Sequence, residues 1–252
     1  MRKKILIPGL FICMLSSCGL VIHMVSTANS QDKTEMDTEG KQDVPSPYND
    51  NNILFKTNRT FCYQVEQIEK GRHLFFGLDM MVIPGSFNLN QSKVKYKYHY
   101  NPLDLDSNEL KQFGYDGKGG FEPEFTSLIE EKNELNFHPP RSKTLTCLEA
   151  APFPEIPFRI KKGTHSKSFL FIPRGSWGKL GSSKITWHYE IDSVAYVSDT
   201  IPYFCSVYAT ADSRKGGHNT LRIYFNKDSG FTKLYYHFQD STIVNFTLTE
   251  IE

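Results

Sequence analysis

The sequence lacks the short signatures that usually betray catalysis. It contains no H-E-x-x-H, no G-x-S-x-G and no P-loop, and no G-x-G-x-x-G follows a strand. That removes the zinc-protease helix, the nucleophile elbow and the usual phosphate cradles. Charge of one sign is missing too: the formal net charge is +1. Without a basic excess, nucleic acid is not an expected partner. Cysteine is sparse in the body of the chain. Of five cysteines, Cys13 and Cys18 sit near the start, leaving Cys62, Cys147 and Cys205 with no C-x-x-C spacing. An odd number without regular spacing argues against a disulfide framework. One bridge with a free thiol, or three buried thiols, both fit. Long apolar runs are also absent, with a single exception at the N-terminus.

That exception is "ILIPGLFICMLSSCGLVIHM", Ile5 to Met24, behind Arg2, Lys3 and Lys4. A positive start, an apolar stretch to Leu15 and then small residues make the layout of a signal peptide. The apolar character continues beyond Cys18 to Val25, broken by His23, so the run is also long enough for one membrane-spanning helix. Cleavage with full secretion is a third outcome. All three place the body outside the cytoplasm.

From Ser26 to Asn52 the chain is polar and charged, with almost no aromatics. Such a composition does not bury enough apolar surface to offset ordering, and reads as a disordered tether. The expected division is a signal peptide over 1–17, a tether over 18–52 and a globular part over 53–252, with a sub-division near 165.

Tyr and Phe are abundant in the globular part, which suits a pleated, half-buried surface. Period-two alternation recurs. "FCYQVEQ" puts Phe61, Tyr63 and Val65 on one face. "KVKYKYHY" sets Val94, Tyr96, Tyr98 and Tyr100 against Lys93, Lys95, Lys97 and His99. "KITWHYEI" sets Ile185, Trp187, Tyr189 and Ile191 against Lys184, Thr186, His188 and Glu190. These are half-buried strands. Further strands are expected near 194–198, 203–210, 219–226, 231–238 and 241–250, divided by turn residues at 199, 214–217, 226–230 and 239–240. Short links favour an antiparallel meander. Between 101 and 165, helices are expected after Asp106 and after Ser127, where Ser127 and Glu130 have capping-box spacing. "APFPEIPF" is too rich in proline for a central strand and reads as an extended segment packed by Phe153, Ile156 and Phe158. The fold class is therefore mainly β: a curved antiparallel sheet or half-barrel with one or two short helices.

Three stretches carry a resemblance. Leu15-Ser16-Ser17-Cys18 resembles the lipobox of bacterial lipoproteins. The C-terminal third, with Tyr224, Phe225, Asn226, Gly230, Phe231, Lys233, Leu234 and Tyr236 in one phrase, resembles the end of bacterial envelope lipoproteins and periplasmic proteins of uncharacterised function. "FHPPR" (Phe137 to Arg141) is similar to such lipoproteins as well. The resemblance implies that Cys18 receives diacylglycerol after cleavage just before it. The protein would then be held to a membrane, in particular the outer membrane, with its body facing the periplasm or the exterior. Some proteins of this kind have a half-barrel like the lipoprotein carriers, which implies an apolar ligand or an envelope protein as partner. No catalytic residue and no cofactor follows from it.

Other stretches have the composition of possible sites. "DLDSNE" (Asp104 to Glu109) opens like a calcium loop but has Glu109 and Tyr115 where glycine and the last ligand belong; a helix N-terminus explains it as well. The eight histidines are scattered, and spacing brings no two onto one face. His138 with Cys147 or Cys205 would make a thiol–imidazole pair, and an envelope hydrolase would be built around His138 and a cysteine or a carboxylate. The lysines of "KVKYKYHY" suit either an anionic surface or a solvated strand face. Ser193, Thr200 and Ser241 each follow an aspartate in a short acceptor pattern for O-glycosylation, and Asn58, Asn90 and Asn245 begin N-x-S/T sequons. The expectation is a lipid-anchored, non-catalytic envelope protein that binds a protein partner or an apolar ligand. The alternative is an envelope hydrolase with a nonstandard site.

Overall fold

The computed structural model describes residues 24–25, 52–87, 91–131, 134–157, 160–172, 183–198 and 201–252. Its strands are β1 (Met24–Val25), β2 (Thr60–Glu69), β3 (Arg72–Ser86), β4 (Ser92–His99), β5 (Glu124–Glu131), β6 (Glu134–Phe137) and β7 (Glu155–Ile156), followed by β8 (His165–Ile172), β9 (Ser183–Ser198), β10 (Ile201–Ser213), β11 (Gly217–Asn226), β12 (Gly230–His237) and β13 (Ile243–Ile251). One short helix, α1, covers Ser107–Gln112, and 3-10 turns cover Pro102–Asp104 and Lys143–Ala150. No described helix is long and apolar enough to cross a membrane.

All strands join one antiparallel sheet in the order β1-β8-β9-β10-β11-β12-β13-β2-β3-β4-β5-β6-β7. From β8 round to β7, every neighbour in space is a neighbour in sequence, except β13 beside β2. The two ends of the globular part therefore meet in the middle of the sheet. There Thr60 N–H donates to the Glu252 carbonyl at 3.0 Å, and Glu252 N–H donates back at 2.9 Å.

This topology forces the sheet to curl. Twelve strands laid flat would span about 50 Å. Yet β7 and β8, far apart in the order, are joined by residues 157–164, which reach about 30 Å at most. The rings of Phe137 on β6 and Phe231 on β12 meet at 4.9 Å, although six strand positions separate them. The sheet is thus a half-barrel with a concave inner face.

Alternation fills that face as the sequence predicts. Phe61, Tyr63, Val65, Val94, Tyr96, Tyr98, Ile185, Trp187, Tyr189 and Ile191 are all buried. The segment between β6 and β7 lies against them. Leu145, Leu148, Phe153 and Ile156 are each at most 1% exposed. Phe153 packs on Trp187 at 4.5 Å, and Tyr189 Oη donates to the Phe153 carbonyl at 3.1 Å. The half-barrel is plugged by its own chain. The proline-rich stretch is extended and ends in an edge strand of two residues, β7; Phe158 lies outside the described residues.

Two expectations need correction. Ser127 does not cap a helix: Glu124–Glu131 is a strand, paired on both sides by β4 and β6. Glu130 turns instead to the start of the domain, where its carboxylate accepts from the amides of Ile53 (3.1 Å), Leu54 (2.9 Å) and Phe55 (2.8 Å). The two strands expected over 184–198 are one continuous strand, β9, whose pairing with β10 shifts register beside Ser206. The 3-10 turn at Lys143–Ala150 was not anticipated, because "KTLTCLEA" shows no helical stripe. The helix after Asp106 is present. Asp106 caps it, with Glu109 returning a bond to the cap amide at 2.9 Å.

Candidate functional site

The chain enters the domain at the end of the sheet that holds the β11–β12 turn. The opposite end holds the β2–β3 hairpin, α1 and the start of the 143–150 turn. The hairpin is tight because Lys70 (φ 48°) and Gly71 (φ 82°) form a two-residue loop with both φ positive. α1 is held to it by Arg72, whose guanidinium donates twice to the Glu109 carboxylate and once to the Asp104 carbonyl (2.6 Å). That pair holds the Glu109 carboxyl below its usual range.

The third wall hangs on Glu124. Its carboxylate accepts from Arg141 N–H (2.9 Å), Ser142 N–H (3.1 Å), Ser142 Oγ (2.8 Å) and Tyr98 Oη (2.5 Å). Thr144 Oγ1 meets Tyr100 Oη at 2.9 Å. This anchoring holds Lys143 at φ 59°, a left-handed conformation unfavourable for a residue with a long side chain. The Lys143 ammonium lies 4.4 Å from the Tyr98 ring centre. Burial draws its pKa down, against the pull of Glu124 and Glu122.

Between these walls lies a cleft of about 410 Å³. Leu74, Phe113 and Gln67 form its deep part; Glu69, Lys70, Arg72, Glu109, Gln112, Lys143, Thr144 and Thr146 complete it. Gln67 donates to the Thr144 carbonyl at 2.9 Å. By contrast, a gap on the concave face among the described residues, around Tyr63, Tyr96, Phe137 and Phe246, is about 10 Å³. That is room for one water at most.

The residues expected to matter fall elsewhere. Cys18 and Thr200 lie outside the described residues, as does Asn90. Ser193 is inside β9 rather than at a strand end, because β9 runs on unbroken; it shares a hydrogen bond with Ser206 at 2.7 Å. Ser241 is exposed in the β12–β13 turn at φ 67°. Asn58 lies in a turn, also at positive φ, and Asn245 on β13 donates to Glu66 at 3.0 Å. The lysines of β4 face outward, with Lys93 over the Phe125 ring at 5.0 Å. Asp104 to Glu109 serves as a helix start, and no described residues form a cluster able to hold a metal ion.

Cys62, Cys147 and Cys205 are free thiols. Burial pushes all three up: Cys62 to about 11, with help from Asp79, and Cys147 and Cys205 to about 12, with help from Glu69 and Asp192 respectively. They are protonated at neutral pH, and a thiol nucleophile reacts as the thiolate. The His138 ring packs on Phe153 at 4.2 Å. The cleft itself was missed, although Gln67 gave a sign. It occupies the fourth inward position of β2, after Phe61, Tyr63 and Val65, and it is 2% exposed.

No protein-family model matches the sequence, and no curated protein matches it. Solved structures do show likeness of backbone. The chain is similar to an exported protein with a YmcC-like fold from Bacteroides fragilis (9% identity, 79% of this chain and 97% of that one, TM-score 0.43). It is similar to a lipoprotein from Parabacteroides distasonis (9% identity, 79% and 97%, TM-score 0.38). It is also similar to the hypothetical lipoprotein YmcC from Escherichia coli (11% identity, 80% and 91%, TM-score 0.29).

Proposed function

We propose that this is a non-catalytic cell-envelope protein, lipid-anchored through Cys18, that works by contact with an envelope partner rather than by carrying an apolar ligand. The lipobox-like Leu15-Ser16-Ser17-Cys18 behind a charged start supports the anchor. In a Gram-negative host the membrane would be the outer one. The observation that carries the choice between partner and cargo is the plug. Leu145, Leu148, Phe153 and Ile156 occupy the concave face that a carrier would keep open. A carrier pocket is typically several hundred cubic ångströms; among the described residues, the gap beside Tyr63, Tyr96, Phe137 and Phe246 is about 10 Å³. The three thiols, all with raised pKa, lend no support to a cysteine hydrolase.

The test is the intact mass of the full chain extracted from membranes of a Gram-negative host, beside Cys18→Ala. The expected mass begins at Cys18 and includes diacylglycerol and an acyl chain. The Cys18→Ala chain should lose that addition. A mass that begins at Met1 would refute the lipid anchor and leave the N-terminal run as a helical one.

A further inference from the structure

We infer that the cleft between the β2–β3 hairpin, α1 and the 143–150 turn binds a small monoanion whose carboxylate stands beside N–H or O–H donors. The site is independent of the anchor and lies at the opposite end of the sheet from where the chain enters the domain.

Three features converge. The first is size: about 410 Å³ suits a dipeptide or a single sugar. The second is charge. Both carboxylates of the cleft are matched by its own cations, Glu109 by Arg72 and Glu69 by Lys70 at 3.3 Å. Lys143 has no such match within the cleft lining, although Glu124 and Glu122 outside it attract its charge. Among the described residues it has no carboxylate within ion-pair distance, and its ammonium rests on the Tyr98 ring. One half-buried cation calls for one negative charge. Glu69 and Glu109 beside it would repel a phosphate carrying two or more.

The third feature is Gln67. Its side chain is buried, its amide nitrogen donates to the Thr144 carbonyl and the Glu69 carboxylate, and its Oε1 has no partner among the described residues. An unpaired buried acceptor is costly. A donor on the ligand, admitted by a small shift of the side chain, would satisfy it. The Gln112 amide and the Thr146 hydroxyl complete a polar lining, with Phe113 and Leu74 as an apolar floor. The C-terminus of a peptide and a sugar acid share this chemistry.

Calorimetric titration of the full chain in detergent tests it. The probes are N-acetyl-alanyl-alanine, its C-terminal amide, and glucuronate. Saturable binding of the peptide acid alone assigns a peptide terminus, and of glucuronate alone a sugar acid. The capped amide should bind about tenfold more weakly than the acid, the size expected for one charge-assisted contact. Lys143→Met and Gln67→Leu should each weaken binding about tenfold. Lys143→Arg should retain it, which guards against a folding defect, and Lys97→Met on the outer face should not change it. If neither acid binds, or if binding is indifferent to Lys143→Met and Gln67→Leu, the inference fails.

Discussion

Phe153→Ala should be among the most damaging single changes in this protein. The ring is 1% exposed and touches Trp187 at 4.5 Å and His138 at 4.2 Å. Deleting a buried phenyl ring costs about 3–5 kcal/mol, through lost transfer energy and the cavity left behind. A domain typically has about 5–15 kcal/mol in total. The loss should approach its upper end, because β6, β7 and the 143–150 turn surround the site and resist collapse. Urea unfolding of the full chain, followed by tryptophan fluorescence, measures it directly: Trp187 is itself the contact. Tyr189→Phe is the companion, since it keeps the ring, removes the bond to the Phe153 carbonyl and should cost about 1 kcal/mol. A loss below about 1 kcal/mol for Phe153→Ala, well short of the usual core penalty, would mean that the plug is not seated. The argument against apolar cargo would fall with it.

Glu124→Gln should cost on the order of 3 kcal/mol, because an amide group then faces four donors that a carboxylate had satisfied; denaturant unfolding reads this, and a cost near zero would contradict the anchoring of Lys143. Stability should also fall on acidification. Glu109 is held low by Arg72, and Glu66 by Asn245 and His73. A depressed carboxyl contributes fully above its unfolded pKa of about 4.3, and the contribution is lost as pH falls through the folded value. Melting temperatures taken from neutral pH into acid should show a decline that is shallower in Glu109→Gln, and an unchanged slope would rule the pair out as a contributor.

Much of the fold could be read from the chain because period two is hard to mistake when tyrosines and lysines alternate, as from Lys93 to Tyr100. The turns of β10 to β13 were equally plain, marked by Gly217, Asn226, Gly230 and Asp240. What failed has physical reasons. Ser127 and Glu130 have the spacing of a helix cap, but Glu130 is committed to backbone amides some 75 residues away, and no local pattern carries that. The division of 184–198 into two strands missed a register shift, which is set by the facing strand. The 143–150 turn owes its shape to Glu124, Tyr98 and Tyr100, all distant in sequence. The cleft is a meeting of three segments, and its one local sign, Gln67 standing where an apolar side chain was due, is visible only once β2 is known to face inward.

Hydrogen exchange of the full chain, resolved by residue, tests the central claim that the protein fills its own half-barrel. Amides between Leu145 and Ile156 should exchange nearly as slowly as those of β2 and β9, because they open only when the sheet does. Fast exchange across 145–156 with the sheet still protected would contradict the account. It would show a plug that leaves, and a concave face open to a ligand.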